Sequence, residues 1–213
     1  MTFGVLLLAG FIAFTLSLTC VDQQPIGPNG SCVAYAKFNQ QIHNLFGVNM
    51  ILYNITDWAG IAVILIAFGF AILGLLQWIK RKKLMNVDSS ILVLGGFYII
   101  VFSVYVFFEF HVINYRPILI NGNFEASYPS STTMLAMCIL PTAMMQFRRL
   151  INNVNIRNAV NGFCGLFTVF MVLGRLISGV HWFTDILGGL LFSSSMVLLY
   201  CAINNFILEK KVL

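Results

Sequence analysis

The sequence predicts an all-α integral membrane protein, a six-transmembrane-helix bundle with an interfacial loop or helix between the first and second spans. Three observations carry that expectation. Of 213 residues, 59% are hydrophobic and 9% are charged, against about 25% charged in a soluble domain. The apolar residues gather in six stretches, at about 3–21, 59–79, 90–110, 132–147, 160–180 and 186–208, and a spanning helix needs about 20 mostly apolar residues. The stretches run on without alternation. That favours helices over a closed barrel, the other way to pair every backbone group in lipid.

The first stretch has no basic start and no small-residue cleavage site before Cys20, so it is expected to remain as a span rather than be removed as a signal. The segment from Asp22 to Trp58 is the one long connection, and such loops are usually functional or disordered. Within it Val33, Ala34, Ala36, Phe38, Ile42, Leu45 and Phe46 interleave with Lys37, Asn39, Gln40, Gln41, His43 and Asn44. This pattern suits a helix lying in the membrane interface, or an ordinary packed loop. Cys20, at the outer end of the first stretch, and Cys32, in the loop, fall on the same external side, where an oxidising compartment would allow a disulfide. Cys138, Cys164 and Cys201 fall inside spans, as small apolar fillers. Asn29-Gly30-Ser31 and Asn54-Ile55-Thr56 match glycosylation sequons, which act in a eukaryotic secretory pathway. The fourth stretch is the shortest and holds Pro141, which predicts a kink. With no internal repeat and no low-complexity tract, residues 1–213 read as one membrane domain.

The connections set the orientation. Lys80, Arg81, Lys82 and Lys83 follow the second span, Arg148, Arg149 and Arg157 the fourth, and Lys210 and Lys211 the sixth. Basic residues mark the cytoplasmic side, so both termini are expected there. Of the 12 Lys and Arg residues, Lys37, Arg116 and Arg175 are left on the opposite, extracytoplasmic face. Asp22, Asp57, Glu109, Glu125, Asp185 and all three histidines join them there. Cations kept on that side against the rule need a reason.

Three polar clusters would meet at that face. Asn114-Tyr115-Arg116-Pro117 follows the third span. Ser127-Tyr128-Pro129-Ser130-Ser131-Thr132 opens the fourth. There hydroxyls can cap a helix, and free amides plus the helix dipole can hold an anion. Gly174-Arg175, Ser178-Gly179-Val180-His181 and Asp185 lie between the fifth and sixth. His181 and Asp185 are four apart and share a helix face. A carboxylate there fixes the imidazole tautomer and leaves its other nitrogen free to attack an electrophile. A cation such as Arg175 near the membrane is a functional candidate, or else a snorkelling anchor or a structural ion pair. Two arginines, a His-Asp pair and a hydroxyl-rich helix start together suit phosphate, whose oxygens accept a bidentate guanidinium.

These residues resemble the type 2 phosphatidic acid phosphatase superfamily, lipid phosphate and diphosphate phosphatases with a six-helix core. Arg116-Pro117 matches the end of its first motif and Pro129-Ser130 the start of its second. Arg175, His181 and Asp185 match the third at the family's spacing. The resemblance runs from about Phe107 to the sixth span. It implies that His181 attacks phosphorus to form a phosphohistidine, oriented by Asp185. Arg116, Ser130, Ser131, Thr132 and Arg175 would hold the phosphoryl oxygens. It implies no metal and no cofactor, which fits the lack of any ligand cluster in the sequence. The expected partners are a lipid phosphate or diphosphate substrate and membrane lipids, with no nucleic acid.

Three positions depart from the family pattern. Glu109 stands for its Lys, Thr132 for its second-motif His and Gly174 for its Ser. That His is the family's general acid, and such catalysis is worth about 10²–10⁴-fold. A diphosphate would suffer least, because phosphate leaves as a stable anion. This favours isoprenoid diphosphates such as the carrier lipid of cell-wall synthesis. Alternatively, His111, Glu109 or Glu125 supplies the proton, His111 being the best matched in intrinsic pKa. Two other classes compete: a family member that binds a lipid phosphate with little or no catalysis, and a small transporter.

Overall fold

The computed structural model describes the backbone of residues 1–209 and the side chains of 1–207. Lys210 and Lys211, invoked above for orientation, lie outside the described residues. Among the described residues there are seven α-helices and no strands: α1 Thr2–Ser17, α2 Ala36–Phe46, α3 Met50–Arg81, α4 Ser89–Phe110, α5 Ser131–Leu150, α6 Val154–Ile177 and α7 Phe183–Glu209. Of these, α3, α4, α6 and α7 are long and apolar enough to cross a membrane. Helix α1 is apolar but has 16 residues.

Helix α5 is the axis of the bundle and packs against α3, α4, α6 and α7. Enclosure by other helices explains its more polar sequence. A helix with no lipid-facing coat can carry Thr and Gln, provided each is paired. Thr142 Oγ1 donates to the Cys138 carbonyl at 2.7 Å. Gln146 Nε2 donates to Tyr200 Oη at 2.9 Å and to the Ser90 carbonyl at 3.2 Å. The helix is continuous through Pro141. Helix α1 lies along α7, with Gly4 facing Leu198 and Leu199 and the Phe11 ring 5.3 Å from Phe192.

Two features outside the central bundle position the site. Helix α3 begins at Met50, capped by Asn49 Oδ1, which accepts from the Leu52 N–H at 3.0 Å. The apolar pattern suggested a start near residue 59. The earlier start lifts Tyr53, Thr56 and Asp57 onto the helix that faces α6. It also puts the Asn54 sequon inside a helix.

The second feature is the long connection, where α2 packs on α7. Asn39 is fully buried. Its Nδ2 donates to the Ala34 carbonyl and to Thr184 Oγ1, and its Oδ1 accepts from the Thr184 N–H. It therefore caps the first turn of α7 from outside that helix. The chain after α2 then closes on the turn before His181, where the Asn49 N–H donates to the Ser178 carbonyl at 2.9 Å. A Cβ on Gly179 would lie 1.7 Å from the Gly47 carbonyl oxygen, and Gly179 has φ +65°. Glycine alone fits there. Cys20 and Cys32 are both exposed and free.

Candidate active site

The turn between α6 and α7 and the segment entering α5 meet in a buried knot. His181 is 3% exposed, Asp185 0%, Ser127 2% and Asn114 2%. The Asp185 carboxylate takes three donors: Ser127 Oγ and the Trp182 N–H (2.8 Å) on Oδ2, and Asn114 Nδ2 (3.1 Å) on Oδ1. The Asp185 carbonyl accepts from the Ser130 N–H at 3.0 Å. The start of α5 is thereby tied to the start of α7. A donor set of this kind holds a carboxylate in place without a counter-cation.

His181 and Asp185 do share a helical register, but their side chains are not in direct hydrogen-bond contact. His181 Nδ1 lies 3.8 Å from Asp185 Oδ2, beyond hydrogen-bond range. Its nearer neighbours are Ser127 Oγ at 3.0 Å and the Ser127 carbonyl at 3.2 Å. His181 Nε2 is buried and unpartnered. Burial, then the nearby charges of Arg116 and Arg175, hold the imidazole well below its ordinary pKa of 6.5, although the Ser127 carbonyl opposes this. The ring is neutral at pH 7, with a free nitrogen lone pair.

Both arginines are buried, Arg116 at 7% and Arg175 at 1% exposure. Their guanidinium carbons lie 5.5 Å and 4.8 Å from the centroid of the Tyr53 ring, within range of cation–π attraction. Arg175 Nη2 pairs with Asp57 Oδ1 at 3.0 Å, while Nη1 donates to Thr56 Oγ1 and the Tyr53 carbonyl. Arg116 Nε sits 3.1 Å from Glu125 Oε2, yet neither Nε nor Nη1 has a well-aligned acceptor. Arg175 Nε is also unpartnered. Buried guanidinium N–H groups left open are costly unless an anion completes them.

At the start of α5 the first backbone bond runs from the Met134 N–H to the Ser130 carbonyl. Residues 131–133 therefore form the open amide end of the helix. Ser130 Oγ and Thr133 Oγ1 are buried without partners, whereas Ser131 is half-buried. Thr132 is buried, its γ-methyl 3.7 Å from where a Cβ on Gly60 of α3 would stand.

His181, Asp185, Arg116, Arg175, Ser130 and Thr132 thus come together at one end of the bundle. Glu109 and Glu125 stand near Arg116, close enough to act on its charge. His111 does not join them. It is exposed, stacks on Phe107 at 4.2 Å, and its Nδ1 is bonded to the Phe107 carbonyl of its own helix. Tyr53 and Thr56 carried no signal in the sequence, because the apolar pattern left them in the loop. Ser127 and Asn114 lay in the polar clusters without an assigned role. Between α3 and α4 a groove of about 950 Å³ runs from Trp78 and Leu84 to Ser103 and Val106. Its upper end is one helical turn from Glu109.

No curated protein matches the chain. A solved structure, the first transmembrane PAP2 type phosphatidylglycerolphosphate phosphatase from Bacillus subtilis, is similar at a TM-score of 0.62 and 20% identity. The match covers 97% of this chain and 98% of that one, a likeness of fold. The family model of the PAP2 superfamily matches residues 97–207, just over half of the sequence and all three motif clusters. The chain belongs to the PAP2 superfamily and is a multi-pass membrane protein of that fold.

Proposed function

We propose that this protein is a membrane phosphohydrolase that removes phosphate from a lipid phosphate or diphosphate through a phosphohistidine on His181. The observation that carries the reading is the buried, unpartnered Nε2 of a neutral His181 beside two guanidinium groups with open N–H donors. The Nε2 lone pair bonds to phosphorus as the bond to the leaving oxygen breaks, and the bonding electrons depart with that oxygen. Arg116, Arg175, Ser130 and the open amides of residues 131–133 hold the phosphoryl oxygens, where negative charge concentrates in the transition state. Water then attacks phosphorus. The N–P electrons return to Nε2, and both water protons leave on dihydrogen phosphate.

The leaving group decides the substrate class. With Thr132 in place of the family's general acid, a departing alkoxide loses the imidazole that would protonate it. When Nε2 attacks the terminal phosphorus of a diphosphate, the lipid monophosphate leaves as a stable anion that needs none, so an isoprenoid diphosphate is the favoured class. The groove between α3 and α4 supports a lipid. It is lined by Phe68, Leu75, Trp78, Ile91 and Phe102 among others, and such a lining accepts hydrocarbon chains.

In the membrane, α1, α3, α4, α5, α6 and α7 are the six spans and α2 lies at the interface. Both termini are cytoplasmic and the site is extracytoplasmic, following the basic residues at 80–83, 148–149 and 157.

A second reading rests on the ion pairs of Arg175 with Asp57 and Arg116 with Glu125. These carboxylates compete with phosphate for the same donors, as would befit a protein that binds a lipid phosphate without turnover. One assay separates the two readings. Phosphate release from lipid monophosphates and diphosphates is measured in detergent, beside His181→Ala. Release above the variant's, greater for diphosphates, is expected. Equal background release from both proteins on every substrate would sink the enzyme reading.

A further inference from the structure

The separation of His181 from Asp185 leaves a gap that one side chain fills. Ser127 Oγ stands between His181 Nδ1, at 3.0 Å, and Asp185 Oδ2, with all three residues almost wholly buried. A serine hydroxyl has one proton and two lone pairs. Asp185 Oδ2 accepts from both Ser127 Oγ and the Trp182 N–H, so the hydroxyl proton points to Asp185. A lone pair of Oγ is then what remains to face His181 Nδ1. The Nδ1 position must carry the imidazole proton, and Nε2, the unpartnered nitrogen, must carry the lone pair.

The opposite tautomer meets a penalty on both sides of the ring. It would set the Nδ1 lone pair against the Ser127 carbonyl oxygen, 3.2 Å away. It would also leave an N–H at Nε2 buried without an acceptor. From this geometry we infer that Ser127 is a positioning residue, whose hydroxyl relays the Asp185 carboxylate to His181 and selects the tautomer that attacks phosphorus.

The inference deepens the phosphohydrolase reading and rests on it for its kinetic part. Attack turns His181 into an N-phosphoryl imidazolium that keeps its Nδ1 proton. The chain from Nδ1–H through Oγ–H to Asp185 then runs from cation to anion and strengthens as charge develops. No proton has to move along it. The other charged groups that act on His181 are Arg116 and Arg175, which oppose the imidazolium. The relay is therefore the nearest source of compensation.

The test pairs a spectroscopic readout with kinetics. The chain has three histidines, so ¹⁵N-histidine labelling with His43→Gln and His111→Gln backgrounds assigns the His181 signals. In the unmodified protein, His181 is expected as the Nδ1–H tautomer. Ser127→Ala keeps the backbone carbonyl near Nδ1 but loses the hydroxyl link to Asp185, and is expected to move the tautomer balance measurably toward Nε2–H and lower kcat about 10²-fold, with KM changed less than threefold. Ser127→Thr, which keeps the hydroxyl, is expected to restore the tautomer and most of kcat.

An Nε2–H tautomer in the unmodified protein overturns the inference even if Ser127→Ala fails to fold. A folded Ser127→Ala with the normal tautomer and kcat within twofold also overturns it. The tautomer is read without turnover. If the unmodified enzyme releases no more phosphate than His181→Ala, the phosphohydrolase reading fails while the Nδ1–H assignment is still decided.

Discussion

The reactivity proposed for His181 rests on its burial. An imidazole at 3% exposure beside two arginines pays heavily for a proton, so its nucleophilic form persists below the usual histidine range. The acid limb of kcat/KM is therefore expected below pH 6.5, measurable as a pH–rate profile on a diphosphate substrate. The same shift sets a stability trend. The folded pKa lies below the unfolded one, so the unfolded chain binds the proton first. Stability is expected to fall as pH drops through 6.5, and to be indifferent to His181 above it. Thermal inactivation followed across pH in detergent, with His181→Ala as reference, checks this.

The position of Thr132 yields a second residue-scale outcome. Thr132→His, which supplies the missing acid, is expected to raise alkyl monophosphate hydrolysis about 10²-fold and diphosphate hydrolysis little. Equal gains on both substrates would remove the leaving-group account. Truncating either clamp, as Arg116→Ala or Arg175→Ala, is expected to lower kcat/KM about 10²–10³-fold, since each removes donors aimed at developing charge.

Among the elements, α2 is the one whose contribution lies outside the bundle. It holds the α6–α7 turn from the far side, through Asn39 on Thr184 and through Gly47 against Gly179. Asn39→Ala leaves the Thr184 amide and hydroxyl without their partner, a loss of about 1–3 kcal/mol. Gly179→Ala forces a Cβ into the Gly47 carbonyl at a positive φ, which costs at least as much. Both are expected to shorten the thermal half-life and to lower kcat together, because the strained turn carries His181. An α2 that merely covered the site would change KM alone. Helix α5 makes a complementary point. Its Thr142 and Gln146 would be poor in lipid, yet Thr142 meets the Tyr98 hydroxyl of α4 and Gln146 the Tyr200 hydroxyl of α7.

For the whole molecule, the charges divide the bundle into two ends. Lys80, Arg81, Lys82, Lys83, Arg148, Arg149 and Arg157 collect at the end opposite His181. Single cysteines introduced at Lys82 and Glu125, in a background without the native cysteines, are expected to react with a membrane-impermeant maleimide from opposite sides of intact vesicles. Labelling of both from the same side would overturn the proposed topology.

The composition, the apolar stretches and the third motif were enough to announce a helical membrane protein of this superfamily, with His181 and Asp185 at one end of the bundle. Those signals are local: a span is a run of apolar residues, and His181 and Asp185 are one helical turn apart. The extra turns of α3 were not legible, because Tyr53, Thr56 and Asp57 look like loop until the site behind them is seen. Nor was the withdrawal of His111 onto Phe107, which turns on the direction of one side chain at a helix end. The link between His181 and Asp185 through Ser127 joins residues more than fifty positions apart. Sequence spacing governs which groups can share a helix face. Which nitrogen is left free depends on the partners that packing brings from other elements, and here that partner came from the segment leading into α5.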